Sequence, residues 1–260
     1  MATVEVGNAQ VRYEIAGEGP ALMLVHGTGS AGAALTWGQL VPMFAGRTVI
    51  TPDLSGSDAT SDDGAPLTLD VLAEQVVAVI EAAGCGPVDL LGFSLGSPVV
   101  ATVAARRPDL VRRLVLVAGW TRTEGDVHLS ATFDLWRRLG VNDPVAFGRF
   151  VALTGFSRGF LDGLGDEGFA GIAGNMPPTP NTLRQVDLNA RVDVRDVLSH
   201  VTAPTLVIGG TRDATVPVEH SRALHTAIAG SSYAELDAGH VMFFERAKEF
   251  VDVVVAHLDA

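Results

Sequence analysis

Three side chains in this sequence are of the types that together can transfer an acyl group: Ser94, Asp213 and His240. A serine hydroxyl is a poor nucleophile at neutral pH. A histidine beside it can take its proton, and a carboxylate can orient that histidine and stabilise the imidazolium. Ser94 stands in Gly92-Phe93-Ser94-Leu95-Gly96, after the apolar Val88-Asp89-Leu90-Leu91 and before an apolar run from Pro98 to Ala105. This pattern predicts a strand, a sharp turn and a helix ending at Arg106-Arg107-Pro108. At such a corner the serine backbone is strained, and glycines two residues before and after it leave room for the turn. The helix start offers unpaired N–H groups beside the hydroxyl. A plain turn with a solvated serine is the competing reading. Asp213 ends Gly209-Gly210-Thr211-Arg212-Asp213, where capping a turn is the competing reading. Of the seven histidines, His240 alone follows the last predicted strand on a glycine-containing loop, Asp237-Ala238-Gly239-His240.

Residues this far apart meet only if the fold gathers them. Thr3 to Gly7 and Gln10 to Ala16 alternate in character and predict an antiparallel hairpin. Ala21 to Val25, Thr48 to Thr51, Val88 to Leu91, Leu114 to Ala118, Thr205 to Gly209 and Ser232 to Leu236 are short, mostly apolar strands. Helices are expected between them: Trp37 to Ala45, Thr68 to Gly84 with Thr68 as N-cap, the run after Ser94, Val218 to Ile228, and a closing helix from Phe243 to Leu258. Alternating strands and helices predict an α/β fold, a mostly parallel eight-stranded sheet with helices on both faces. In such a sheet the segments just beyond strand C-termini line one edge. His26 to Gly29, Ser94-Leu95, Asp213 and His240 all qualify.

From Thr121 to Ser199 the rhythm breaks. Helices at Ala131 to Leu139, Asp143 to Leu153 and Pro180 to Asn189 follow one another with no strand between them. Asp143-Pro144 and Thr179-Pro180 each read as an N-cap followed by proline at the first helical position. The expected organisation is a core of residues 1–120 and 200–260 with a helical cap of residues 121–199. The cap holds six of the eleven phenylalanines, enough for a small core with some rings left to face a cleft.

Over nearly its full length the chain resembles the α/β-hydrolase family. The elbow around Ser94 matches the family's G-x-S-x-G turn, and the order Ser94, Asp213, His240 is the order that family uses. His26-Gly27-Thr28-Gly29 resembles its H-G-x-G segment. The resemblance implies an oxyanion hole formed by the backbone N–H groups of Thr28 and Leu95, with His26, Gly27, Gly92 and Gly96 in supporting roles. It implies a serine hydrolase acting on an ester, thioester or lactone of a small-to-medium, partly apolar substrate through an acyl-enzyme on Ser94. Cleavage of a C–C bond, haloperoxidase or perhydrolase chemistry, and a non-hydrolytic cyclase or ligand receptor are the alternatives. Two stretches depart from the pattern. Asp53-Leu54-Ser55-Gly56-Ser57-Asp58 lacks the histidine that relatives often carry there, and Ser97-Pro98 stands where many have a second glycine.

Composition narrows the partners. Apolar residues make up 47% of the chain and charged residues 18%, which predicts a large core and excludes general disorder. A formal net charge of −12 argues against nucleic acid and anionic membranes, whose phosphates require clustered Lys and Arg. The single cysteine, Cys85, cannot form an internal disulfide. No basic-then-apolar leader and no run of about 18 apolar residues is visible, so a cytoplasmic protein is the expectation. No phosphate-cradling glycine loop and no metal-ligand spacing appears, which predicts no cofactor and no metal. A small-molecule substrate is the expected partner.

Overall fold

In the computed structural model, which describes residues 1–260, the chain opens with the expected hairpin. β1 (Ala2–Val6) and β2 (Ala9–Ala16) pair antiparallel, from Ala2↔Tyr13 to Val6↔Ala9. There follow β3 (Ala21–Val25), α1 (Gly32–Trp37), β4 (Thr48–Asp53), α2 (Leu69–Ala83), β5 (Val88–Phe93), α3 (Gly96–Arg106) and β6 (Val111–Val117). Four helices then succeed one another: α4 (Val127–Asn142), α5 (Pro144–Gly155), α6 (Arg158–Gly174) and α7 (Pro180–Asn189), with the short α8 (Arg195–Leu198) after them. The sheet resumes with β7 (Thr205–Gly210), α9 (Val218–Ala227) and β8 (Ser232–Leu236). α10 (Met242–Glu245) and α11 (Ala247–Asp259) close the chain.

The eight strands form one sheet in the order β1-β2-β4-β3-β5-β6-β7-β8. β2 runs antiparallel to both neighbours and every other pairing is parallel. Because successive strand residues point to opposite faces, each central strand feeds two cores. Leu90, Leu114 and Leu116 pack with α2, α3 and α9, whereas Leu91, Val115 and Val117 pack with α1 and α11. This is the α/β architecture expected. The chain moves outward from β3 to β4 on one side, then returns so that β5 flanks β3 on the other. α1 and α3 therefore leave the sheet toward opposite faces, and the loops after β3 and β5 diverge around a crevice. Open α/β sheets bind ligands at such a switch point.

Local signals explain most element ends. Thr68 Oγ1 accepts from the Val71 N–H, and Gly84 ends α2 in the left-handed region at φ +66°. Asp143 and Thr179 cap α5 and α7 as predicted. Three expectations need correction. The helix expected at Trp37 to Ala45 lies instead at Gly32–Trp37. It starts early because the buried Asp53 carboxylate accepts from the Ala33 N–H, and only a 3₁₀ turn at Val41–Met43 follows. The closing helix is two helices that meet at Arg246. α6 was not foreseen at all, since six glycines dilute its periodicity and Gly165 leaves helical geometry inside it. Its one legible mark is Ser157, which caps it by accepting from the Phe160 N–H. No helix is long and apolar enough to cross a membrane.

Candidate active site

Ser94 occupies the turn between β5 and α3 with φ +52°, a left-handed conformation that a residue with a side chain holds only under constraint. Its N–H donates to the Val117 carbonyl at 2.9 Å, and its carbonyl accepts from the Ser97 N–H at 2.9 Å. The flanking glycines are required by close approach. A Cβ on Gly92 would lie 2.3 Å from the Gly96 oxygen, and one on Gly96 would lie 2.6 Å from the Val25 oxygen. Gly27 is similarly constrained, its missing Cβ position lying 2.9 Å from Ser94 Cβ. Ser97, the departure noted in the sequence, ties its added side chain into the backbone: its hydroxyl donates to the Gly92 and Val117 carbonyls and accepts from the Val117 N–H.

The loops after β7 and β8 bring the other two groups to this turn. His240 Nε2 lies 2.9 Å from Ser94 Oγ, and His240 Nδ1 lies 2.7 Å from Asp213 Oδ2. The carboxylate can only accept, so Nδ1 carries the proton and Nε2 is free to accept from the serine hydroxyl. Asp213 Oδ1 is held by the N–H groups of Thr215 at 2.8 Å and Val216 at 2.7 Å. Four bonds thus fix the relay from both ends. All three residues are buried, and Phe93 backs the imidazole at 4.9 Å between ring centroids. The residues gathered from three strand ends are those singled out in the sequence.

The loop after β3 forms the opposite wall. His26 is fully buried, and its Nε2 accepts from the Leu54 N–H at 3.0 Å while Nδ1 donates to the Gly27 carbonyl at 2.6 Å. Acceptance at Nε2 requires neutral imidazole, and burial pushes its pKa below the ordinary histidine value, ahead of the opposing effect of the hydrogen bond it donates to the Gly27 carbonyl. His26 therefore braces this loop to the end of β4. The N–H groups of Thr28 and Leu95 donate to no backbone acceptor, in contrast to that of Ser94 between them and the sheet. The departing Asp53–Asp58 loop is secured by other means: Ser57 Oγ donates to the Leu54 carbonyl, Thr60 Oγ1 donates to the Asp53 carbonyl, and Gln185 reaches the Ser55 carbonyl.

A cavity of about 390 Å³ opens above Ser94 and His240. Trp136, Phe147 and Phe156 from the helical segment, together with Phe93, Phe243 and Phe244, give it six aromatic side chains. Two of the six phenylalanines of that segment thus face the cleft, and Phe133 is buried in the core instead. Thr36, Gln39, Asn175, Thr182 and Thr215 add neutral polar groups. No Asp, Glu, Lys or Arg lines the cavity, and His240 is its one titratable side chain. Sequence reasoning missed Gln185, Asn189 and Glu245, all of which touch the loops of the site. Nothing in their local sequence separates them from ordinary polar helix residues.

The remaining histidines lie apart from the relay. His128 Nε2 meets the Ala214 carbonyl, His220 lies 3.5 Å from Asp126, His225 stacks on Tyr233, His200 is exposed, and His257 lies half-buried beside the backbone of Pro204 and Leu114. No group of three or more His, Cys, Asp or Glu side chains is placed to hold a metal ion. Cys85 is half-buried, and burial pushes its thiol pKa up, away from reactivity.

Comparison with known proteins agrees with this geometry. The chain is 42% identical to pyrrolizixenacetamide deacetylase of Xenorhabdus hominickii over 255 residues, covering 96% of this chain and 95% of that protein. It superposes on a bromoperoxidase from Bacillus anthracis with a TM-score of 0.85 at 27% identity, covering 97% and 96% of the two chains. An enol-lactonase from Burkholderia xenovorans shares the fold at a TM-score of 0.87 and 23% identity, covering 99% of this chain and 100% of that one. The model of the alpha/beta hydrolase fold matches residues 20–247, from β3 through the histidine loop to the first residue of α11. With its serine at the strand-to-helix turn and its sheet order both in place, this chain belongs to the α/β-hydrolase family and is an enzyme of that superfamily.

Proposed function

We propose that the protein is a cofactor-independent serine hydrolase that cleaves an uncharged ester or amide through an acyl-enzyme on Ser94. The observation that carries this reading is the unbroken hydrogen-bond relay from Asp213 through His240 to Ser94, opening into a cavity without ionised side chains. Ser94 Oγ attacks the substrate carbonyl as His240 Nε2 takes its proton, and Asp213 holds the imidazolium. The N–H groups of Thr28 and Leu95 stabilise the tetrahedral oxyanion. His240 returns the proton to the departing alcohol or amine, and water then releases the acyl group by the reverse sequence. The 42% identical deacetylase supports extending the reading from esters to amides.

Charge selects the substrate. Moving an ionised group into an apolar pocket without a partner costs several kcal/mol. The aromatic lining favours an apolar moiety, at about 0.8 kcal/mol for each CH₂ buried. The residues numbered 121–199 act as the cap that supplies much of this lining.

A fluorophosphonate should label Ser94 alone, as located by proteolysis and mass spectrometry. Ser94→Ala should abolish labelling and lower ester hydrolysis by about 10⁴-fold or more without unfolding. Between 4-nitrophenyl butyrate and its equally sized hemisuccinate, the neutral ester should be preferred at least 50-fold in kcat/KM. Turnover in Ser94→Ala within tenfold of wild type would refute the nucleophile, and equal rates for the two esters would refute the neutral pocket.

A further inference from the structure

The loop that carries Thr28 is held by the helical segment as well as by the sheet. α7 presents Gln185 and Asn189, one helical turn apart and on the same face, each only 1% exposed. Gln185 Oε1 accepts from the Gly29 N–H at 2.8 Å, and its Nε2 donates to the Ser55 carbonyl at 3.2 Å. Asn189 Nδ2 donates to Thr28 Oγ1 at 2.9 Å, with Asn189 Oδ1 lying 3.3 Å from the same hydroxyl. The fit is close. Gly56 runs against the Gln185 side chain at φ +93°, where a Cβ would fall 2.4 Å from Gln185 Cγ. The Asn189 carbonyl is itself tied by Thr123 Oγ1 at 2.6 Å, so the C-terminal end of α7 is fixed where it meets the loop.

We infer that Gln185 and Asn189 are positioning residues, which set the direction of the Thr28 N–H and so couple the helical segment to transition-state stabilisation. This rests on the reading of Thr28 as an oxyanion donor. The geometry gives the reason. The Gly29 N–H is taken by Gln185, whereas the neighbouring Thr28 N–H has no backbone partner. From the same face of α7 the Asn189 amide fixes the Thr28 side chain. These bonds anchor Thr28 through its side chain and through the peptide that follows it, which limits rotation of the residue that carries the unpaired N–H. A hydrogen-bond donor contributes to an oxyanion only when its direction is set before charge develops. Displacement of a catalytic group by about 1 Å costs on the order of 10²-fold in rate. Neither residue is among those lining the cavity, so substrate affinity should not depend on them.

Gln185→Met keeps the volume and removes both bonds, and Asn189→Leu removes the other tie. Active sites are first titrated with a fluorophosphonate, so that kcat is expressed per reactive Ser94. Each variant is expected to lose roughly 10- to 100-fold in kcat, with KM within threefold of wild type. A trifluoromethyl ketone, whose hydrate-like adduct places an oxyanion in the same position, should lose affinity by the same factor as kcat/KM. A substrate-like ketone that forms no adduct should bind unchanged. The inference is overturned if kcat and the inhibition constant both stay within twofold, or if the loss lies wholly in the number of titratable sites. If Gln185→Met does not fold, Asn189→Leu alone decides by the same measures. Failure of the serine-hydrolase reading on which Thr28's role depends looks different, because wild-type Ser94 would then neither label nor turn over ester.

Discussion

Asp213 illustrates how much a single side chain depends on its surroundings. Its two oxygens have separate duties, Oδ1 held by two backbone N–H groups and Oδ2 left to the His240 ring. Asn at this position would fill the same space but present an NH₂ group to either the imidazole or the two N–H donors. Whichever way the amide turns, one side is mismatched and the histidine tautomer is disturbed. Asp213→Asn is therefore expected to lower kcat by about 10⁴-fold while leaving KM within a few-fold. Steady-state kinetics on an activated ester checks it, and a loss of less than tenfold would mean that the carboxylate does not orient His240.

At the level of elements, the helical segment is attached at both ends of the crevice. α7 meets the loop after β3, and the turn between α5 and α6 meets the histidine loop. Glu245 of α10 is the tie on that second side. Its Oε1 accepts from the N–H groups of Ser157 at 2.7 Å and Gly239 at 3.0 Å, and its Oε2 accepts from Ser157 Oγ at 2.5 Å. The Val241 N–H adds a bond to the Gly155 carbonyl at 3.0 Å. Removing the carboxylate leaves three part-buried donors without an acceptor. Bonds to charged groups contribute about 1.5–3 kcal/mol in net terms, so Glu245→Ala should destabilise by on the order of 3 kcal/mol. For a chain of this size that lowers Tm by roughly 5–10 °C, measurable by calorimetry. Activity should fall as well, since Gly239 precedes His240. Unchanged Tm and kcat would show that the segment is not anchored through α10.

For the molecule as a whole, buried histidines set an acid limit on stability. Burial pushes the pKa values of His26, His220 and His257 below their ordinary value, and His257 Nε2 is buried without a partner. In the unfolded chain these rings take up protons as pH falls through about 6.5, whereas in the fold they resist. The unfolded state then binds more protons, so folding stability is full above about pH 7 and declines as pH falls below 6.5. The carboxylates held below their usual range by arginines, such as Asp109 beside Arg107 and Asp237 beside Arg212, add to the loss only at lower pH. Urea unfolding between pH 8 and pH 5 should show this decline. His257→Leu, remote from the cavity, should flatten it, and a profile already flat in the wild type would contradict it.

The sheet, the glycine-flanked turn at Ser94 and the three groups of the hydrogen-bonded relay are legible in the sequence, because each follows from local rules. Apolar runs of strand length, glycines at the corner around Ser94, and loops just beyond strand ends are all written within a few residues of the feature they produce. Parallel topology then carries Asp213 and His240 to Ser94 without further information. Thr68, Asp143 and Thr179 were legible as caps for the same reason: a cap bonds to a residue three positions away. The misplaced first helix had a distant cause, since Asp53 starts it from 20 residues farther along. α6 stayed hidden because its glycines favour no conformation, and packing against α5 supplies what propensity lacks. The ties from Gln185, Asn189 and Glu245 span 88 to 161 residues or bridge two loops at once. Only the tertiary structure decides these, because a polar helix residue looks the same in sequence whether it faces water or the one backbone group it must hold.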